Sequence, residues 1–266
     1  YSAMVTMAGA TPVILQCPSE QQLKMTPEQL EAAITPATKL LMLNSPSNPN
    51  GQAYQAHDWQ ALGEVIRQHP QLIVMSDDIY EHIYWAKSPL TGLLNVCPDL
   101  ADRCVLVNGV SKAYAMTGWR IGYAVGPENI IAAMTKVQVE SSSCASSISQ
   151  AAAEAALNGP QNLLQPMLMA YQQRHNYVLA QLSAIPGIDV LPSQGTFYTF
   201  PNCQQAIERL GYEDDVALVK AILTHTGVAL VPGSAFGMAG HFRLSYATDL
   251  TLLKTACERL TRFFKT

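Results

Sequence analysis

Four short apolar runs, Lys39 to Leu43, Gln71 to Ser76, Cys104 to Val107 and Trp119 to Val125, constrain this chain more than any other feature. Runs that are apolar on both faces read as strands buried in a sheet covered by helices. Helical signals accompany them. Thr26-Pro27-Glu28-Gln29 has Thr at the cap, Pro at the first position and Gln where a capping box needs it, and His57 to Gln68 is amphipathic. Thr11 to Cys17 reads as a further strand. The alternation predicts an α/β fold with a mostly parallel sheet. In such sheets ligands gather at the carboxyl ends of the strands, and Asn48, Asp77 and Lys112 all follow strand ends.

Beyond Cys104 to Val107 the segment Asn108 to Gly126, NGVSKAYAMTGWRIGYAVG, carries a lysine among small residues, Gly109, Ser111 and Ala113. Small residues let a ligand approach the backbone, so Lys112 is a candidate amine nucleophile. Eight residues on, Arg120 sits between Trp119 and Ile121, with hydroxyls available at Ser111 and Thr117. A guanidinium beside hydroxyls is suited to a phosphate or carboxylate. A nucleophilic lysine with an anion clamp points to a phosphorylated carbonyl cofactor, and pyridoxal phosphate fits that description. Asp77 ends the apolar strand and opens D-x-x-Y with Tyr80; a carboxylate there can keep a cofactor ring nitrogen protonated.

The segment SKAYAMTGWRIGY resembles the cofactor-lysine segment of the fold-type I, class I/II pyridoxal-phosphate aminotransferases, most closely the bacterial branch of aspartate aminotransferases. NSPSNPNG at Asn44 to Gly51, SDDIYEH at Ser76 to His82 and FRLSYA at Phe242 to Ala247 match as well, in the same order and spacing. The resemblance implies a pyridoxal-phosphate transferase fold, with a mostly parallel sheet sandwiched by helices in a large domain and a smaller C-terminal α+β domain. Residues 1–160 are expected in the first; residues 161–266 are expected to form the interdomain helix and the second.

It further implies that Lys112 carries the cofactor and later moves a proton, while Asp77 meets the pyridine nitrogen. Asn48 and Tyr80 would meet the phenolic oxygen, Ser111 and Arg120 the phosphate. Asn48 and Arg243 would contact substrate, Arg243 by gripping its α-carboxylate. Asp78 is left as a helix-start or surface charge. Asn50 departs from the family pattern, which has threonine there. The implied reaction is ping-pong transfer of an amino group from an L-amino acid, aspartate by overall similarity, to a 2-oxo acid such as 2-oxoglutarate. Alanine, aromatic and prephenate transamination remain open, as does the cofactor-sensing domain of a transcription regulator. A homodimer is implied too. Family members carry a long segment ahead of the position of Tyr1, so an incomplete N-terminus is expected.

With 266 residues, 48% of them hydrophobic, the chain can bury a sizeable core. A net charge of −4 argues against a nucleic-acid surface, which would show clustered Lys and Arg. A small molecule is the expected partner. The six cysteines form no C-x-x-C pair and the six histidines show no ligand spacing, so neither zinc nor a disulfide framework is indicated. The histidines are expected to face solvent or cap helices. No apolar run reaches the length of a membrane span, no signal-peptide pattern opens the chain, and a reducing cytoplasm is the default. Ser141 to Ser149 is small and hydroxylic, ahead of a helical stretch from Ala151 to Leu182. From Pro186 on, shorter elements are expected: Gly195 to Phe200, Asp214 to His225, Val228 to Val231, His241 to Ala247 and a terminal helix from Thr248.

Overall fold

The computed structural model describes residues 1–265. In chain order its elements are α1 (Ser2–Met7), α2 (Pro27–Ala33), β1 (Leu40–Asn44), α3 (Ala56–Gln68), β2 (Ile73–Asp77), α4 (Leu93–Val96), β3 (Cys104–Gly109), β4 (Gly122–Val125), α5 (Glu128–Ser142) and α6 (Ser147–Asn158). They continue with α7 (Gln165–Ser183), β5 (Tyr198–Thr199), α8 (Gln204–Leu210), α9 (Asp215–Thr226), β6 (Val231–Pro232), β7 (Phe242–Ser245) and α10 (Leu250–Phe263).

β1, β2 and β3 lie parallel side by side, and β4 returns antiparallel along β3. The register sets Asn44 against Asp77 and Asp77 against Val107, so the exits of three strands open on one sheet end. α3 covers one face. Its apolar residues Trp59, Leu62, Val65 and Ile66 recur at helical spacing and pack with Leu43, Val74 and Cys104. Trp59 is fully buried, and cutting such a ring to alanine costs about 3–5 kcal/mol. At Gly63 a Cβ would run into the Cys97 sulfur, which explains a glycine inside this helix. The expected capping box holds: the Gln29 amide donates to Thr26 Oγ1 at 3.3 Å and the Thr26 amide to Gln29 Oε1 at 3.1 Å.

A second core joins α7, α8, α9 and α10 to the three-stranded sheet ordered β5-β7-β6, around Phe242, Tyr246, Leu253 and Leu260. The two cores meet along Pro192 to Thr196. There the Gln194 and Gly195 amides donate to Gly51 O, the Thr196 amide donates to Ile83 O, and Gln52 Nε2 donates to Pro192 O. Gly195 is required at this seam, since a Cβ would strike the Ile83 carbonyl. Long-range backbone bonds of this kind fix how the second sheet sits over the first.

Three expectations are corrected. Thr11 to Cys17 is extended but forms no strand; Val13 and Ile14 are exposed, and no ladder hydrogen bond reaches the segment among the described residues. A strand needs a neighbour, and apolar β-branched composition alone does not supply one. The helical stretch from Ala151 to Leu182 is broken after Asn158, where Gly159 and Pro160 interrupt it, and resumes as α7 at Gln165. Two histidines lie inside rather than at the surface: His175 packs against Trp85 and Tyr246, and His241 stacks on Phe200 at 5.0 Å.

Candidate active site

The β1 exit positions Asn48 through its last strand residue. Asn44 Nδ2 donates to the Asp77 carbonyl at 2.8 Å, and Asn44 Oδ1 accepts the Asn48 amide at 2.8 Å. One side chain therefore ties the β1 loop to β2. At the β2 exit, Asp77 Oδ1 accepts the Ile79 amide at 3.1 Å, a local turn that fixes the carboxylate. Asp77 Oδ2 accepts a short hydrogen bond from the Tyr1 hydroxyl. Burial and this carboxylate push the Tyr1 phenol far above its ordinary range, so it stays a donor.

Tyr80 is buried three residues on, and its hydroxyl donates to the Tyr198 hydroxyl at 3.4 Å. Burial, then the Tyr198 partner, raise its pKa well beyond the usual phenol. Asp78 is not a surface charge. Its Oδ1 accepts the Ser76 hydroxyl at 2.7 Å, and burial pushes its carboxyl up to about 6 against that hydrogen bond, with Glu81 and Asp77 adding repulsion.

Past β3, Ser111 and Lys112 sit half-buried in the turn that leads to β4. The Ala115 amide closes the turn on the Lys112 carbonyl at 3.2 Å, while the Lys112 amine makes no ion pair among the described residues. Thr117 Oγ1 donates to Ser111 O at 3.1 Å, and Arg120 Nη1 donates to Thr117 O at 3.0 Å. Arg120 adopts φ 57°, a left-handed conformation that costs a residue with a Cβ. Its guanidinium is exposed and has no carboxylate within ion-pair distance among the described residues.

The second sheet delivers Arg243 from β7. Its Nη1 donates to Asn48 Oδ1 at 2.9 Å, which brings the two sheets together at this point. The guanidinium lies 4.3 Å from the Tyr198 ring centre and 5.0 Å from that of Phe236. Its Nε is buried and unpartnered among the described residues. A cation held by rings and an amide oxygen, with a donor left open, is prepared for an external carboxylate.

The chain as a whole is similar to known enzymes. The model of the family "Aminotransferase class I and II" matches residues 1–260. The chain belongs to that aminotransferase family. The aspartate/prephenate aminotransferase of Nitrosomonas europaea is 46% identical over 266 residues, covering 98% of this chain and 67% of the relative. The aspartate aminotransferase of Geobacillus stearothermophilus is 46% identical over 265 residues, covering 100% of this chain and 67% of its own. A solved aspartate aminotransferase from Rhizobium meliloti superposes with a TM-score of 0.94 at 43% identity, over 100% of this chain and 68% of its own. This aminotransferase chain thus spans about two thirds of the length of the relatives it matches.

Of the residues singled out from the sequence, the fold joins Asn48 to Arg243 directly, Asn48 to Asp77 through Asn44, Tyr80 to Arg243 through Tyr198, and Ser111 to Arg120 through Thr117. No hydrogen bond joins the Lys112 amine to the others among the described residues. Sequence reasoning missed the parts played by Tyr1, Asn44, Tyr198 and Phe236. Asn44 stands first in NSPSNPNG and Tyr198 lies within Gly195 to Phe200, but neither string says that the first ties two strand exits together or that the second lies against an arginine.

Proposed function

We propose that this chain is the cofactor-binding and substrate-binding body of a transaminase that uses pyridoxal phosphate, with aspartate as donor and 2-oxoglutarate as acceptor. The residues present fit that cofactor. An exposed guanidinium without a carboxylate partner among the described residues, in the same turn as the Ser111 and Thr117 hydroxyls, suits a phosphate, and the Asp77 carboxylate suits a pyridinium. When bound, the cofactor supplies an aldehyde to a lysine amine and a ring that accepts the electron pair released when a substrate α-carbon loses its proton.

The chain's own groups then divide the work. Ser111 and Arg120 bind the phosphate, Asp77 holds the ring-nitrogen proton, and Asn48 and Tyr80 donate to the phenolic oxygen. Arg243 binds the substrate α-carboxylate, which orients the Cα–H. The Lys112 amine, once free, would take that proton and deliver it to the cofactor carbon, two atoms from where it left. The observation that carries this reading is the bond from Arg243 to Asn48. It sets an anion-seeking cation from the second sheet at the strand exits where Asp77 and Lys112 lie.

Aspartate is favoured by the names of the relatives; the Nitrosomonas relative, whose name includes prephenate, keeps that second acceptor in view. The same reading makes the protein a cytoplasmic homodimer, supported by six free cysteines and by exposed Trp119 in the turn before β4 and Tyr123 and Val125 along it. No helix among the described residues is long and apolar enough to cross a membrane, and none of their side chains form a metal cluster. Absorbance of the protein with pyridoxal phosphate, compared with Lys112→Ala and followed on adding L-aspartate, tests the reading. A band absent from the variant and bleached by aspartate supports it. A folded protein with no band sinks the cofactor assignment.

A further inference from the structure

Tyr198 stands where the two halves of the candidate site touch. Its backbone is pinned from three sides: the Tyr198 carbonyl accepts Ser193 Oγ at 2.9 Å and the Tyr246 hydroxyl at 3.2 Å, and the Tyr198 amide donates to Thr196 Oγ1 at 3.2 Å. A short strand anchored this firmly presents its side chain in one orientation. The hydroxyl reaches Tyr80, whose ring it meets edge-on with centres 6.0 Å apart. The ring lies against Arg243, with Phe236 on the same guanidinium.

We propose that Tyr198 is a positioning residue with two separable tasks: its hydroxyl backs that of Tyr80, and its ring, paired with Phe236, holds Arg243 ready for a carboxylate. The inference rests on the transaminase reading above. A phenol that accepts a hydrogen bond is a better donor in turn, because chained hydroxyls polarise one another. The bond runs from the Tyr80 hydroxyl to that of Tyr198; when an acceptor enters the site it reverses, so that Tyr80 gives its proton to the acceptor while Tyr198 donates to the Tyr80 oxygen. The other ionisable groups that act on Tyr80 are Arg243 and Asp77, and neither replaces a hydroxyl partner. The rings do a different job for Arg243. They occupy it without neutralising it, so its charge stays available and its rotamers are restricted before substrate arrives.

The two tasks are separated by two variants of the full chain loaded with pyridoxal phosphate. Tyr198→Phe removes the hydroxyl and keeps the ring. The pH midpoint of the lysine-bound cofactor band should rise by about half a unit, while the dissociation constant of succinate, a non-reactive dicarboxylate, stays within about twofold of the parent. Tyr198→Leu removes both. The same midpoint shift should appear together with about tenfold weaker succinate binding. Because Tyr198 is buried, the leucine variant can lose its fold, so Phe236→Leu provides a second route: weaker succinate binding with an unmoved midpoint. Tyr80→Phe, which removes the donor itself, should shift the midpoint further than Tyr198→Phe.

An unmoved midpoint in Tyr198→Phe, or parental succinate binding in both leucine variants, overturns the proposal while the parent band leaves the transaminase reading standing. Absence of that band from the parent protein overturns both.

Discussion

Arg120 and Arg243 are two guanidinium groups without a carboxylate partner among the described residues, and their surroundings differ in every other respect. Arg120 is exposed, and its guanidinium donates to a carbonyl three residues back in its own turn. Arg243 lies between two rings, bonds an amide 195 residues away, and keeps one buried donor open. The first is a local device that relies on its ligand for order. The second is assembled by the tertiary fold before any ligand arrives. A doubly charged phosphate gains enough from a single exposed cation and hydroxyls; a carboxylate carries one charge and needs the preorganised fork.

Replacing each arginine by lysine should break the comparison most clearly. Arg243→Lys keeps the charge and loses the planar fork, and succinate binding should weaken by about 100-fold, on the order of 3 kcal/mol, with cofactor affinity little changed. Arg120→Lys should weaken pyridoxal phosphate binding by only about tenfold, and the loss should depend on salt because the site is exposed. Equilibrium dialysis at two ionic strengths reads both. Equal losses for the two variants would show that the rings around Arg243 preorganise nothing. Asn48→Ala removes the amide link to Arg243 together with the proposed donor to the phenolic oxygen, and should cost succinate about fivefold, since Arg243 retains its rings.

The same contrast explains what could be read from the sequence. The Arg120 side was legible because its parts are contiguous: a strand, small residues, hydroxyls and an arginine within one turn. Asn48, Asp77 and Lys112 were legible as strand exits because apolar runs and turn residues mark where β1, β2 and β3 stop. The partners of Arg243 were not. Tyr198 and Asn48 are far from it in the chain, and only the seam from Pro192 to Thr196 brings them together. Thr11 to Cys17 fails for the converse reason: its residues favour a strand, but pairing depends on neighbours that local composition does not encode. Ser141 to Ser149 reads as one small, hydroxylic stretch, whereas its first two serines form the last turn of α5.

Acid should strike the Arg243 side first. His175 Nε2 accepts the Ser193 amide at 2.9 Å, and Ser193 Oγ in turn holds the Tyr198 carbonyl. Burial lowers the His175 pKa below its ordinary value near 6.5, with the Asn176 bond opposing, so the folded chain resists its protonation more than the unfolded chain does. Stability contributed by neutral His175 is therefore complete above about pH 6.5 and falls as pH drops below it. Urea midpoints between pH 7.5 and 5.5 should decline, by no more than about 1.4 kcal/mol for this one group. His175→Gln should flatten that slope, and an unchanged slope would assign the acid sensitivity elsewhere.

Asp78 gives the smallest effect and the opposite sign. Its folded pKa is raised from 3.8 to about 6, so the folded chain favours the protonated carboxyl. Whatever stability this lends is present below pH 3.8 and is lost as pH rises through about 6; above that, an ionised Asp78 is a net cost. Asp78→Asn keeps an oxygen to accept the Ser76 hydroxyl and removes the charge beside Asp77 and Glu81. The variant should therefore be more stable than the parent by about 1 kcal/mol at pH 7.5, by about half of that near pH 5, and no more stable below pH 3.8. Between those pH values the parent loses stability at His175 and regains some at Asp78, so the two variants should tilt the urea-midpoint profile in opposite directions. If Asp78→Asn is instead destabilising at pH 7.5, the Asp78 charge supports the β2 exit, and the strand-exit side is as dependent on one ionised group as the Arg243 side is on its rings.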